Sequence, residues 1–142
     1  MNSSTPADYA AFLASKTLVA PNAGIDVSRD RLLPALFPWQ RDLVHWSLRK
    51  GRAAIFAGCG MGKTPMQLAW AQHAAERVLI LAPLAVAQQT VREGEKFGVP
   101  VTYARSQEAA APRGITVANY EMLAHFDASA FGAVVCDESS IL

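Results

Sequence analysis

The sequence predicts an α/β protein built on a mostly parallel sheet. Short apolar runs without polar alternation recur along the chain, as strands covered on both faces require. Between them lie stretches with helical spacing of apolar residues. A glycine-rich turn at residues 57–64 joins one such run to one such helix, in the order strand, turn, helix.

Taken in chain order, Pro6 to about Lys16 reads as a short amphipathic helix carrying Tyr9, Phe12 and Leu13. The segment Ala20-Pro21-Asn22-Ala23-Gly24 reads as a turn or linker, which makes residues 1–30 an extension ahead of a domain at 31–142. Trp39 to Lys50 reads as a helix with Trp39, Leu43 and Trp46 on one apolar stripe, widened by Val44 and Leu48 and stopped by Gly51. Ala53-Ala54-Ile55-Phe56 reads as a buried strand, and Lys63 to about Arg77 as the helix after it. A second strand at Val78-Leu79-Ile80-Leu81-Ala82 ends at Pro83, and a helix follows from Val86 to Lys96. Short strands are expected at Val101-Thr102-Tyr103, at Ile115-Thr116-Val117-Ala118 and at Ala133-Val134-Val135-Cys136, with a short helix from Glu121 to about His125. Alternation of this kind implies a parallel sheet with helices on both faces.

The composition excludes several classes. At 142 residues the chain has room for one ordinary domain. With 13 Lys and Arg against 12 Asp and Glu, no strong field draws the whole chain toward nucleic acid or an anionic membrane; a nucleic-acid partner would need a local patch. Two cysteines, Cys59 and Cys136, make no disulfide framework, so a reduced, cytoplasmic setting is expected. The polar start MNSSTPADYA lacks the pattern of a signal peptide. Polar residues interrupt every apolar run before the roughly 18 residues of a membrane span, so no membrane partner is expected.

The strongest chemical signal is Ala57-Gly58-Cys59-Gly60-Met61-Gly62-Lys63-Thr64. A phosphate needs inward-pointing backbone N–H groups, and glycines let the chain curl closely enough to supply them. The N-terminus of the following helix adds free N–H groups and its dipole. Lys63 would place a charge on the β and γ phosphates, and Thr64 would offer its hydroxyl to Mg²⁺. Pro65 is tolerated in the first turn, where its missing N–H has no helical partner. Ala57 departs from the general pattern, which begins with glycine, and a glycine-rich turn with an incidental Lys-Thr is the plainer alternative. Asp137-Glu138 follows the last apolar run, where a carboxylate at the end of a parallel strand faces the ligand crevice. Asp137 would hold Mg²⁺ and Glu138 would orient and deprotonate an attacking water; a solvated acidic turn is the alternative.

These segments together resemble the first RecA-like domain of superfamily 2 helicases and the related Snf2-type translocases, in feel those of phages and bacteria. Gly58, Cys59, Gly60, Met61, Gly62, Lys63 and Thr64 are similar to motif I, and Asp137-Glu138-Ser139-Ser140 to motif II of the DEAD and DEAH type. Phe37-Pro38-Trp39-Gln40 resembles the upstream Q motif, which implies that Gln40 recognises adenine. Leu81-Ala82-Pro83-Leu84 with Gln88-Gln89-Thr90 is similar to motif Ia, and residues 115–121 to motif Ib, segments that touch the nucleic-acid backbone in that family.

The resemblance implies ATP and Mg²⁺ as cofactors, Lys63, Asp137 and Glu138 as catalytic residues, and a nucleic-acid partner, DNA ahead of RNA. It implies a three-layer P-loop fold over residues 33–142, incomplete at its C-terminal end. Motif III, and a second RecA-like domain or chain with its arginine finger, are expected beyond these residues. Binding of nucleotide with little turnover is then expected of these residues alone, since an arginine finger contributes on the order of 10³–10⁵ in rate. Ser139-Ser140 departs from the better-known boxes. The resemblance also implies that strand 53–56 pairs with strand 133–136 and leaves an open apolar edge, a hazard for stability or self-association.

Two other classes remain open from the residues: a small P-loop kinase, and a nucleotide-binding module without turnover. Against the kinase, no arginine-rich lid is present, and Gln40 and the acidic pair would go unexplained. Cys59 and Cys136 read as small packing residues, and Trp39, Trp46 and Trp70 as core. His45, His73 and His125 lack metal-ligand spacing and read as surface or satisfied side chains. Arg41, Arg49, Lys50 and Arg52 read as a solvated basic face, with phosphate contact as the alternative.

Overall fold

The computed structural model describes residues 6–16 and 20–139. Ser140, the last residue of the acidic tetrapeptide, lies outside them, as do parts of the N-terminal extension. Four α-helices are described: α1 (Pro6–Lys16), α2 (Pro38–Lys50), α3 (Lys63–Ala74) and α4 (Leu84–Phe97). The strands are β1 (Arg77–Ala82), β2 (Val101–Tyr103), β3 (Gly114–Asn119) and β4 (Ala133–Cys136). They form one sheet in the order β2-β3-β1-β4, and every pairing is parallel. This is an α/β fold of the expected class.

The central strands β1 and β3 are buried along nearly their whole length, which explains their unbroken apolar sequences. Val78, Ile80, Ala82, Ile115 and Val117 face a core shared with α2, α3 and α4. Leu79, Leu81 and Ala118 face the other way, onto Phe131 and the partly buried Tyr120, Phe126 and Ala130. The first face is thus covered by α-helices and the second by the short 3₁₀ helices Tyr120–His125 and Ala128–Ala130 and their flanks. β4 is an edge strand, and its outward-turned Val134 and Cys136 are exposed.

Helix α2 corrects the expected stripe. Trp39 and Trp46 are 40% and 43% exposed, while Val44 and Leu48, at 0% and 1%, form the inner face. Two interleaved apolar rows fit one helical period, and contacts with α3 select the row that turns inward. His45 is buried, and its Nδ1 lies 2.8 Å from the Val27 carbonyl, which can only accept, so Nδ1 carries the proton. Backbone bonds from Gly24 N–H to Arg49 O and from Ile25 N–H to Leu48 O tie the end of the extension to α2. Val27, Leu32, Leu33 and Leu36 then enter the core. Helix α1 is exposed at every described side chain from Asp8 to Lys16.

Residues 53–56, expected as a buried strand, form none. Phe56 is 97% exposed, and Ala53 and Ala54 are also exposed. An apolar run becomes a strand only where a neighbour completes its hydrogen bonds, and β4 is paired with β1 alone. The expected pairing of 53–56 with 133–136 is therefore absent, and the open strand edge belongs to β4. Helix α3 also ends three residues earlier than expected, because Arg77 is already paired in β1. Among the described residues no helix is long and apolar enough to cross a membrane.

Candidate functional site

The C-terminal ends of β3, β1 and β4 lie side by side, and beside β4 runs a groove of about 760 Å³ that Ala57, Gly58 and Lys63 of the glycine-rich segment help to line. Residues 53–58, Trp70, Val134 to Cys136 and Ser139 line this groove. Lys63, Asp137 and Glu138 line it too. Its volume falls in the range of small-molecule sites, roughly 300–1,000 Å³.

The loop turns tightly, with Met61 N–H donating to Gly58 O at 3.3 Å. Gly60 and Gly62 have φ of +75° and +73°, a left-handed backbone that side chains disfavour. A Cβ on Gly60 would meet nothing within 4 Å, whereas a Cβ on Gly62 would stand 2.4 Å from Gln40 Nε2. The first helical bond of α3 runs from Met66 N–H to Gly62 O at 3.3 Å. The N–H groups of Lys63 and Thr64 precede it, where a helix offers donors to an anion.

Gln40 is 4% exposed and braces this loop. Its Oε1 accepts from Phe37 N–H at 2.9 Å, and its Nε2 donates to Met61 O at 3.0 Å. Both ends of the amide that the resemblance assigns to adenine bond to backbone. Each end makes one such bond, which leaves a second Nε2 hydrogen and a second Oε1 lone pair.

The lysine and the acidic pair, 75 positions apart in sequence, meet: Lys63 Nζ donates to Glu138 Oε1 at 2.8 Å. That hydrogen bond raises the Lys63 ammonium above its ordinary value, against the opposing effect of burial, with the charges of Asp137 and Cys59 adding to the rise. Asp137 is 6% exposed, and its N–H donates to Leu81 O at 2.8 Å. Glu138 has φ +51°, the one positive φ outside glycine among the described residues.

Tyr120 was not legible as part of this site. Its hydroxyl donates to the Asp137 carbonyl at 2.6 Å. Burial, with Asp137 and Glu138 nearby, pushes the phenol up to about 12. Its side chain reaches the acidic turn only because β1 separates β3 from β4 by one strand, and no spacing in the sequence announces that.

Cys59 and Cys136 are both free and exposed, not packed as expected. Of the basic face, Arg41 donates to Pro34 O and Lys50 to Ala20 O, at 2.8 and 2.7 Å, so both serve local structure.

The residues fit a Mg·nucleotide. Among the described residues no three His, Cys, Asp or Glu side chains cluster as a self-sufficient metal site. Mg²⁺ needs none where a hydroxyl, a carboxylate and phosphate oxygens complete its shell with water. Asp137 lines this groove, whereas Thr64, next to Lys63 in the first turn of α3, is not among its lining residues. Comparisons with family models, curated proteins and solved structures returned no match.

Proposed function

We propose that this chain binds Mg·ATP at the crevice between residues 57–64 and the Asp137-Glu138 turn, as the ATP-binding part of a nucleic-acid helicase or translocase ATPase, with DNA as the partner. The observation that carries the reading is the 2.8 Å contact between Lys63 and Glu138. It brings the lysine of a curled loop at a helix N-terminus against an acid pair at a strand end. Opposite charges also pair without a function, and the support here is that this pair stands in a groove that Asp137 lines too.

In this reading Gly58 to Thr64 wrap the phosphates with backbone N–H groups. Lys63 turns from Glu138 to the β and γ phosphates. Thr64 and Asp137 would hold Mg²⁺, which when bound neutralises charge on the phosphates. Glu138, released from Lys63, orients a water and accepts its proton. Gln40 holds Met61 and with it the curvature of the loop. The site works in a reduced, cytoplasmic setting, consistent with two free thiols.

A second reading, a nucleotide-binding module without turnover, draws on the unpaired residues 53–57, which leave the loop's entry unbraced by the sheet.

Calorimetry with Mg·ATP on the chain and on Lys63→Ala tests the site, and phosphate release with and without DNA separates the two readings. Binding that Lys63→Ala abolishes is expected. Equal binding by both proteins, or none by either folded protein, refutes the assignment. DNA-stimulated phosphate release favours the ATPase, and its absence with tight binding favours the module.

A further inference from the structure

We infer that Tyr120 is a positioning residue for the acid pair, its hydroxyl fixing the peptide plane between Asp137 and Glu138 and so the direction of the Glu138 carboxylate. The inference rests on the nucleotide-site reading and assigns a role that the sequence motifs leave blank.

Geometry argues it from four sides. The Asp137 carbonyl and the Glu138 N–H belong to one rigid peptide plane. The plane is held at the carbonyl by Tyr120 Oη at 2.6 Å, and the residue before it is held by the bond from Asp137 N–H to Leu81 O at 2.8 Å. That plane is one of the two whose relative rotation is φ of Glu138, which stands at +51°, so holding it fixes the frame from which the Glu138 side chain projects. A non-glycine residue rests there only when its surroundings impose it. The same φ aims the Glu138 side chain at Lys63 Nζ, 2.8 Å from Oε1.

Tyr120 is itself braced. Its ring packs on the cluster of Leu79, Leu81, Ala118 and Phe131. Next to it, Tyr103 Oη donates to Asn119 Oδ1 at 2.9 Å, and Asn119 Nδ2 donates to Glu121 Oε2 at 2.6 Å. These bonds hold the residues on either side of Tyr120. A continuous set of contacts therefore runs from β2 and β3, past the end of β1, to the acidic turn. Among the described contacts of the Asp137 carbonyl, the phenol is the hydrogen-bond donor.

Tyr120→Phe keeps the ring and removes the donor, and it is compared with the unmodified chain in three measurements. Hydrogen–deuterium exchange over residues 136–139 is expected to accelerate roughly five- to tenfold, the effect of one lost hydrogen bond, while β1 and β3 are unchanged. The Mg²⁺ concentration that half-saturates ATP binding is expected to rise about tenfold, the low end for groups that orient a metal's ligands. ATP affinity without Mg²⁺, and the melting temperature, are expected to stay within about twofold and about 3 °C. Unchanged exchange at 136–139 overturns the inference. So does faster exchange across the whole sheet with a lower melting temperature, because the hydroxyl then serves the fold. So does an unaltered Mg²⁺ requirement in a protein that binds Mg·ATP. If the unmodified chain binds no Mg·ATP, the nucleotide reading fails by itself, and the exchange measurement alone decides whether Tyr120 anchors the acidic turn.

Discussion

Gly60 and Gly62 share a left-handed backbone, with φ of +75° and +73°, but differ in what surrounds them. The pair therefore separates backbone strain from steric conflict. At either position alanine adds a Cβ in the left-handed region, at a cost of about 1–2 kcal/mol. At Gly60 nothing more is lost, since a Cβ there meets no atom within 4 Å. At Gly62 the Cβ would stand 2.4 Å from Gln40 Nε2, and the amide must swing away. It then loses its 3.0 Å bond to Met61 O and leaves a polar group unpaired in a side chain that is 4% exposed. That adds about 1–3 kcal/mol, so Gly62→Ala is expected to cost about 2–5 kcal/mol in all. Urea unfolding, with a slope of about 2 kcal/mol per M, should separate the two variants' midpoints by about 0.5–1.5 M. In a Gln40→Ala background the collision is gone, and Gly62→Ala should cost no more than Gly60→Ala. Equal midpoints for the two glycine variants in the native background, or an excess at Gly62 that persists without Gln40, would refute this account of the loop.

Two further expectations concern the fold and its pH dependence. Phe56→Ser should change unfolding free energy by no more than about 0.5 kcal/mol, because the side chain is 97% exposed, whereas Leu68→Ala, at 0% exposure in α3, should cost about 2–5 kcal/mol by the same urea assay; a cost for Phe56→Ser of several kcal/mol would return residues 53–56 to a buried strand. Asp127 accepts from Ser129 N–H and Oγ at 2.9 and 2.7 Å, and these bonds hold its carboxyl below the ordinary 3.8. A lowered folded value stabilises above 3.8 and is lost as the pH falls through the folded value. Thermal melts across the acid range should therefore show a shallower decline for Asp127→Asn than for the unmodified chain.

Much of this architecture is written locally. The apolar, β-branched runs at 78–82 and 115–118 suit a strand covered on both faces, and they lie in the sheet's two central strands. The glycine spacing at 58–62 serves a curled loop whatever surrounds it, and Lys63 and Thr64 open a helix because of the turn before them. The acid pair follows directly from a strand end. Each of these depends on a few consecutive residues, so one sequence suffices to read them.

What the sequence left open depended on neighbours. Residues 53–56 are as apolar as a buried strand, yet a strand exists only where another backbone pairs with it, and β4 is paired with β1 instead. The tryptophans of α2 share their helical period with Val44 and Leu48, and only packing against α3 decides which row is inside. Gln40 bonds to Phe37, three residues away, and to Met61, which no local pattern could foretell. Tyr120 reaches the Asp137 carbonyl because the sheet order sets the end of β3 one strand from β4. Hydrophobic pattern and turn chemistry act over a few residues and were determined by the sequence alone; hydrogen-bond partners and the choice of buried face belong to the assembled sheet, where distant segments compete for the same neighbours.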